Sequence, residues 1–248
     1  MRPPTALTIA GSDSGGGAGI QADLKTFLTR GVYGMSVITA TTAQSTIGVT
    51  DIHLIPVDHV RAQLRAVLDD LPVDAVKIGM VGDAARIDAV ADVLEAMAVR
   101  PPIVLDPVMV AKGGAPLLAE RDADALRARL VPLATVVTPN LPEAQVLGWL
   151  RGNVLLKGGH ADGDRVEDVL LVYGVEHARW AHARVATKNT HGTGCTLAAC
   201  IAAELAKGYT LDEACAAAVA FVNELLVRGA RSGSLGHGHG PLLHGLSS

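Results

Sequence analysis

A glycine-rich stretch at residues 188–196 has the clearest potential for chemistry in this sequence. Two of its glycines flank a threonine, and such a turn lets successive backbone N–H groups converge on one point. The Ala-rich run at 197–207 predicts a helix directly behind the turn, whose N-terminus adds free N–H groups and a positive dipole. The turn residues Gly192, Thr193 and Gly194 are therefore candidates for an anion hole that holds a transferring phosphoryl group. The alternative is an ordinary glycine-rich turn before a core helix.

Cys195 follows this turn, at the N-terminal end of the predicted helix. A helix N-terminus favours the thiolate, so this position predicts a pKa below that of a free thiol. Cys200 and Cys215 lie in Ala-rich helical segments, where a cysteine serves as a small core residue. The three cysteines have no C-x-x-C spacing, which argues against both a zinc site and disulfides.

The beginning of the chain predicts a strand at 6–10, a glycine loop at 11–19 and an amphipathic helix at about 20–30. This order is typical of the start of a βαβ unit. The loop lacks the G-x-x-x-x-G-K-[ST] pattern, and no acidic residue closes a second strand, so P-loop and dinucleotide sites are rejected. The loop is either a flexible connector or a place where a ligand approaches the backbone near Asp13 and Asp23. Asp23 could equally serve the helix dipole.

The rest of the chain continues the alternation of strands and helices. Polar residues recur at the carboxyl ends of the predicted parallel strands, where open α/β sheets bind ligands. We therefore predict an α/β fold with a doubly wound, mostly parallel sheet, a single domain over 1–248 and a β flap near 41–55. The further strands are predicted at 35–40, 75–78, 103–105, 135–137, 153–156, 168–173 and 180–186, and the further helices at 57–71, 83–99 (capped by Asp83), 122–130, after 140 and at 211–227.

Several polar residues at strand ends are candidates for ligand binding. Gln44 offers both a donor and an acceptor, although a glutamine also serves in surface hydrogen bonding. Asn140 and Glu143 could supply oxygens to Mg²⁺, or they could simply begin a helix, where an early Glu is favourable. Lys157 could meet a nucleotide phosphate or lie in solvent.

Composition and charge exclude other classes of protein. The chain has 248 residues, a formal charge of -4 and no basic block, so nucleic acid is not an expected partner. Charged residues interrupt the apolar run after Cys195, so it does not predict a membrane span. The N-terminal residues lack a signal-peptide core, and a cytoplasmic location is expected. Nothing orients His237, His239 and His244 in the glycine-rich tail, so metal binding is not expected there.

Taken together, the motifs of this chain resemble those of one enzyme family. They recur in family order at 10–23, 41–44, 77–80, 106–109, 138–144, 157–160 and 188–196. They resemble the hydroxymethylpyrimidine/phosphomethylpyrimidine kinases of thiamin biosynthesis, which are members of the ribokinase-like superfamily. The resemblance covers nearly the whole chain.

The resemblance implies a three-layer αβα fold and a homodimer. It implies that ATP, with Mg²⁺, phosphorylates 4-amino-5-hydroxymethyl-2-methylpyrimidine and then its monophosphate. The residues that match the pyrimidine site are Gly11, Asp23, Gln44, Met80 and Val108. The metal and phosphate region is matched by Asp106, Asn140 and Glu143, and nucleotide contacts by Lys112, Lys157 and Asn140. The anion hole is matched by Gly192, Thr193 and Gly194, and the base by Cys195, whose thiol we expect to titrate near neutrality without nucleotide.

The sequence departs from the family pattern at one place, and two alternative functions are compatible with its motifs. Only 17 positions separate Asn140 from Lys157, so the nucleotide side of the sheet is expected to be trimmed to one short helix. A pyridoxal/pyridoxine kinase is the alternative enzyme, since it can share the cysteine. A non-catalytic pyrimidine-binding protein is disfavoured, because binding alone does not need Cys195, Asn140 and Glu143 together.

Overall fold

Short runs of aliphatic residues, most of them buried, form the strands of the central sheet. The computed structural model describes residues 2–111, 114–148, 150–160 and 163–245, apart from the side chains at 120 and 160. Within these ranges nine strands form one sheet. They are β1 (Thr5–Asp13), β2 (Tyr33–Gln44), β3 (Val49–Leu54), β4 (Ala75–Ile78), β5 (Ile103–Leu105), β6 (Val136–Val137), β7 (Asn153–Leu156), β8 (Arg165–Val172) and β9 (Val175–Ala183).

The strand order is β3-β2-β1-β4-β5-β6-β7-β8-β9. The six strands from β2 to β7 in this order are parallel, whereas β3, β8 and β9 are antiparallel to their neighbours. The chain passes from β1 to β2 on one side and later returns to place β4 on the other side of β1. Ligands bind open α/β sheets at such a point, outside the carboxyl ends of the strands.

Helices cover both faces of the sheet. They are α1 (Gly19–Thr29), α2 (Val57–Leu68), α3 (Ala84–Glu95), α4 (Glu120–Ala125), α5 (Leu141–Leu147), α6 (Thr193–Ala206) and α7 (Leu211–Arg231). One core cluster joins α1, α6 and α7 to the sheet, and the other joins α2 and α3 to its opposite face. No helix in the described ranges is long and apolar enough to cross a membrane.

Small side chains bring α6 close to the centre of the sheet. The buried face of α6 is rich in alanine, and it packs on Ala6, Ala75 and Val104 of three neighbouring strands. Small residues on both surfaces allow a short distance between helix and sheet. The N-terminus of α6 therefore lies over the carboxyl ends of the central strands.

The predicted fold class is confirmed, and most of the predicted elements are found. The strands predicted at 75–78, 103–105 and 153–156 are observed with those limits. Asp83 caps α3, because its carboxylate accepts a hydrogen bond from the Arg86 backbone N–H. The end of β2 pairs with β3 to form the expected flap.

Three predicted segments differ from the structure. The helix expected at 122–130 is α-helical only over α4 and continues as a π-helical turn, Leu126–Leu130. Pro132, which has no backbone N–H, lies in the 3₁₀ turn that follows. Of the strand expected at 180–186, only residues 180–183 form a strand, and they are the end of β9. Helix α6 begins at Thr193 instead of residue 197.

Candidate active site

Two glycine loops meet at the N-terminus of α6. Gly192 precedes the helix with φ +84, a left-handed conformation that favours glycine. A Cβ at Gly192 would lie 1.8 Å from the Gly17 carbonyl oxygen, so a side chain here would clash with the first loop. A Cβ at Gly17 would in turn lie 2.3 Å from His191 Cδ2. Both glycines are therefore required for the loops to pack, and the predicted anion turn, residues 192–194, lies against Gly17 and Ala18.

Cys195 is the third residue of α6 and is partly exposed. The expected near-neutral thiol is wrong: burial raises the pKa of Cys195 to about 11, and the charges of Asp23 and Asp106 act in the same direction. The Lys77 ammonium and a hydrogen bond from the Gly19 backbone N–H oppose this rise. Desolvation of the thiolate therefore outweighs the groups that favour it.

Asp23 lies beneath this cysteine in a buried ion pair. Asp23 is the fifth residue of α1 and therefore lies outside the first turn. The prediction that Asp23 could serve the helix dipole from the first turn is wrong. Asp23 Oδ2 accepts hydrogen bonds from Thr8 Oγ1 at 2.6 Å and Lys77 Nζ at 2.8 Å. The attraction of Asp23 raises the pKa of Lys77 despite its burial, so the lysine stays charged. Asp23 Oδ1 is buried without a partner among the described residues, and its contact with a pyrimidine stays a prediction.

A second lysine–carboxylate pair lies beside the anion turn. Lys157 Nζ donates to Asp106 Oδ1 at 2.7 Å and lies 3.8 Å from Glu143 Oε2. A Cβ at Gly194 would lie 3.3 Å from Lys157 Nζ and 3.6 Å from Asp106 Oδ2, so the pair faces this glycine. Burial alone would lower the pKa of Lys157, but the two carboxylates raise it above its usual value. A positive charge is thus held next to the anion turn.

Asn140 and Glu143 form the capping box of α5. Asn140 Oδ1 accepts from the Glu143 backbone N–H at 2.9 Å, and Glu143 Oε2 accepts from the Asn140 backbone N–H at 2.8 Å. The alternative interpretation of this motif, a helix N-terminus, is therefore what the structure contains. Burial and the charge of Asp106 raise the pKa of Glu143, while Lys157 opposes them.

The metal-binding potential of this region is limited to oxygen donors. In the part of the chain that the structure describes, no three His, Cys, Asp or Glu side chains converge as a metal site requires. Carboxylate oxygens of Asp106 and Glu143 nevertheless both lie within 4 Å of Lys157 Nζ, at 2.7 and 3.8 Å. One or two carboxylates, completed by waters and substrate phosphates, are a usual donor set for Mg²⁺. The residues present fit that ion, and the metal role of Asn140 stays a prediction.

The residues predicted for pyrimidine binding lie around the switch between β1 and β4. A Cβ at Gly11 would lie 3.0 Å from Met80 Sδ, so these two residues are in direct contact. Gln44 ends β2, where its Oε1 accepts from Thr42 Oγ1 at 2.9 Å. Val108 is partly buried two residues after Asp106. Lys112, predicted to contact nucleotide, lies outside the described residues.

Asp13, predicted to lie near an approaching ligand, and His191, for which no role was predicted, join the two loops. Asp13 Oδ2 lies 2.8 Å from His191 Nε2 and accepts the backbone N–H groups of Gly17 and Ala18. These hydrogen bonds and the charge on His191 lower the pKa of Asp13 against the effect of burial. An Asp before a glycine loop is a signal for such a turn, whereas no local pattern reports a contact with His191, 178 residues away.

A doubly wound sheet with a glycine turn and a helix N-terminus over its carboxyl ends is the arrangement of a ribokinase-like phosphotransferase. The sequence model of a family described as phosphomethylpyrimidine kinase matches residues 13–151 and 148–243. The chain belongs to this family and is a kinase.

Individual relatives and solved structures agree with this assignment. A hydroxymethylpyrimidine/phosphomethylpyrimidine kinase of Haemophilus influenzae is 47% identical, over 96% of this chain and 95% of the relative. The crystal structure of a phosphomethylpyrimidine kinase from Clostridium difficile 630 gives a TM-score of 0.75 at 38% identity, over 89% of this chain and 98% of that one. An ADP complex of Bacillus subtilis pyridoxal kinase gives a TM-score of 0.87 at 37% identity, over 98% of both chains.

Proposed function

We propose that this kinase uses ATP to phosphorylate 4-amino-5-hydroxymethyl-2-methylpyrimidine, and then its monophosphate to the diphosphate, in thiamin biosynthesis. One observation carries the proposal: Cys195, Gly194 and the Lys157–Asp106 pair converge at the carboxyl ends of the sheet, where Gly11 and Met80, the residues predicted to contact the pyrimidine, also lie. The names of the family and of its curated relatives support the same substrates.

The anion turn is suited to the transferred phosphoryl group. Phosphoryl transfer depends mainly on positioning and on stabilising charge. The turn and the first residues of α6 provide backbone N–H groups that need no reorganisation when charge develops on the phosphoryl oxygens. Lys157 adds a positive charge next to Gly194, and its own position is held by Asp106.

Cys195 is proposed to accept the proton of the hydroxymethyl group as that oxygen attacks the γ-phosphorus of ATP, the bond between this phosphorus and the β–γ bridging oxygen breaks, and ADP leaves. Only the thiolate can accept this proton, and the raised pKa of about 11 makes the thiolate scarce at neutral pH. The Lys77 ammonium beneath the cysteine favours the thiolate electrostatically. We therefore infer that Lys77 assists proton transfer without touching the substrate.

We also propose that the reaction requires Mg²⁺, held by the oxygens of Asp106 and Glu143 with the phosphates of ATP. When bound, this ion neutralises charge on the phosphate oxygens. Excess EDTA should abolish activity, and Mg²⁺ should restore it. Full activity in a rigorously metal-free assay would show that the carboxylates serve Lys157 alone.

The substrate is tested through Gln44, which we propose pairs with the aminopyrimidine edge. Gln44→Ala should raise the KM for the hydroxymethylpyrimidine by about 2–10-fold, the worth of one neutral hydrogen bond, and should leave the KM for ATP unchanged. Ile47→Ala, at an exposed flap position, is a matched control. An unchanged pyrimidine KM in Gln44→Ala would remove this residue from the pocket.

A pyridoxal kinase is the second candidate, and the TM-score to the pyridoxal kinase structure favours it. Parallel assays with hydroxymethylpyrimidine and pyridoxal, each at saturating ATP, separate the two functions. We expect the larger kcat/KM with the pyrimidine; a larger value with pyridoxal would reverse the assignment. We further propose a homodimer, as the family resemblance implies, and light scattering of the purified protein would test this.

A further inference from the structure

The glycine- and histidine-rich tail contacts the tip of the β flap. We call residues 236–244 of this tail the strap. The His239 backbone N–H donates to the Thr46 carbonyl oxygen at 2.9 Å, and the Gly238 backbone N–H donates to Thr46 Oγ1 at 3.2 Å. A Cβ at Gly238 would lie 2.0 Å from that carbonyl oxygen. Only glycine therefore allows the strap to approach the flap so closely.

The same strap also contacts residues 188–191, which lead directly into the anion turn. The Gly240 N–H donates to the Lys188 carbonyl oxygen at 3.1 Å, and the Gly240 carbonyl oxygen accepts from the His191 N–H at 2.9 Å. A Cβ at Gly240 would lie 2.0 Å from Asn189 Oδ1. A second glycine is thus needed for a second close contact, two residues after the first.

The end of the strap reaches the helix that carries the cysteine. Thr196 Oγ1 and His244 Nε2 lie 2.9 Å apart, and both side chains are buried. Thr196 is the residue directly after Cys195. A Cβ at Gly17 would lie 3.0 Å from Pro241 Cβ, so the strap also touches the first glycine loop. One short segment therefore contacts the flap, the 188–196 stretch and the first glycine loop.

We propose that the strap is a positioning segment of the active site, which holds the flap at a set distance from the anion turn. The flap carries Gln44, and the turn leads to Cys195. A ring held by Gln44 is aligned with the phosphoryl group only if these two parts keep a constant separation. The assignment of Gln44 to a pyrimidine rests on the proposed function, but the contacts of the strap do not.

The first test measures backbone amide exchange in the protein without substrate. Gly238→Ala forces the strap away from Thr46, so amides of the flap at 44–50 should exchange about tenfold faster or more. Gly233→Ala is the matched control, because a Cβ there meets nothing within 4 Å. Amides of β4 and α7 should be unaffected in both variants. Unchanged flap exchange in Gly238→Ala would overturn the proposal, as would an equal increase in Gly233→Ala.

The second test measures steady-state kinetics. Gly238→Ala should raise the KM for the pyrimidine by about tenfold and lower kcat, while the KM for ATP stays within about twofold. Thr46→Val removes only the Oγ1 acceptor of Gly238 and should show the same pattern more weakly, which keeps the test valid if the alanine variant folds poorly. Equal changes in both KM values would indicate a general structural role and overturn positioning. If wild type does not use the pyrimidine, the proposed function fails while the exchange experiment still decides on the strap.

Discussion

Lys77 Nζ lies 2.8 Å from Asp23 Oδ2, and neither side chain has exposed surface. The pair lies under Cys195, where the charge of Lys77 lowers the pKa of the thiol and that of Asp23 raises it. A buried ion pair adds little net stability, but loss of one partner leaves the other charge buried and uncompensated. The pair therefore keeps a positive charge near the cysteine in a part of the protein that water cannot reach.

Replacement of this lysine should separate stability from thiol reactivity. Lys77→Met should lower the free energy of unfolding by about 3–5 kcal/mol, because the Asp23 carboxylate loses its partner. Lys77→Met/Asp23→Asn should regain much of that stability, since the charge is removed and the Thr8 hydrogen bond can remain. Iodoacetamide should alkylate Cys195 more slowly than in wild type in both variants. Denaturant titration and mass spectrometry measure the two effects; a Lys77→Met protein as stable as wild type would contradict the buried pair.

The sequence was sufficient to predict the sheet and the edge of the sheet at which the candidate residues meet. Strands such as β4 and β5 are short, wholly buried and mostly aliphatic. A glycine or a polar residue follows each of them, so the end of each strand can be recognised from the local sequence. Because carboxyl ends of parallel strands share one edge of a sheet, the contacts of Gly11 with Met80 and of Lys157 with Asp106 follow from that order.

The remaining features depend on packing between distant parts of the chain. The sequence places Asp23 on a helix, but its burial depends on Lys77, which is 54 residues away. The pKa of Cys195 depends on how much protein surrounds the thiol, and the helix N-terminus alone gives the wrong direction. The tail histidines had no predicted role, because the partner of His244 is on α6. Such contacts have no local period or spacing that a single sequence displays.

The reactivity of Cys195 should increase with pH well beyond neutrality. With a pKa of about 11, the thiolate fraction rises about tenfold for each pH unit while the pH is well below that value. The rate of alkylation by iodoacetamide should therefore still be increasing between pH 8 and pH 10. Mass spectrometry of the modified protein measures this rate, and a plateau near pH 7 would restore the low pKa predicted from the sequence.

Removal of the Cys195 thiol should lower kcat by about 10²–10⁴-fold, the usual contribution of a positioned base. Cys195→Ala should change the KM for the pyrimidine little, because the proton is accepted only in the transition state. Cys200→Ala and Cys215→Ala are matched controls, since both thiols are buried in the helical layer and should affect stability alone. Turnover of Cys195→Ala within about threefold of wild type would exclude the cysteine as the base.

His191 should position the first glycine loop through Asp13. Loss of a hydrogen bond to a buried charged group typically costs about 1.5–3 kcal/mol, although three backbone N–H groups still hold the carboxylate in His191→Ala. We expect a lower melting temperature and a higher KM for the pyrimidine, because His191 also lies 3.4 Å from Gln44 Nε2. Thermal unfolding and initial rates measure these effects.

A size exchange tests that contact independently. Gly17→Ala should be strongly destabilising on its own, because its Cβ would lie 2.3 Å from His191 Cδ2. In the His191→Ala background the same substitution meets fewer atoms, so it should cost less than in wild type. A double-mutant cycle on unfolding free energies gives the coupling between the two positions. Additive effects would mean that the loops do not pack as the structure has them.

The buried state of His244 predicts how stability depends on pH. Burial, assisted by the charge of Lys25, lowers the pKa of His244 to about 4, against about 6.5 in an unfolded chain. Between these values the unfolded state binds the additional proton, so the contribution to stability is complete above pH 6.5 and decreases as the pH falls toward 4. The difference in unfolding free energy amounts to about 3 kcal/mol at most.

The variant His244→Gln tests this pH dependence. Its side chain cannot titrate, so its free energy of unfolding should decline less than that of wild type between pH 6.5 and pH 4. His59→Gln, at an exposed position on α2, should follow wild type. Urea titrations at several pH values measure the slopes, and parallel profiles for wild type and His244→Gln would show that the end of the strap is not buried in solution.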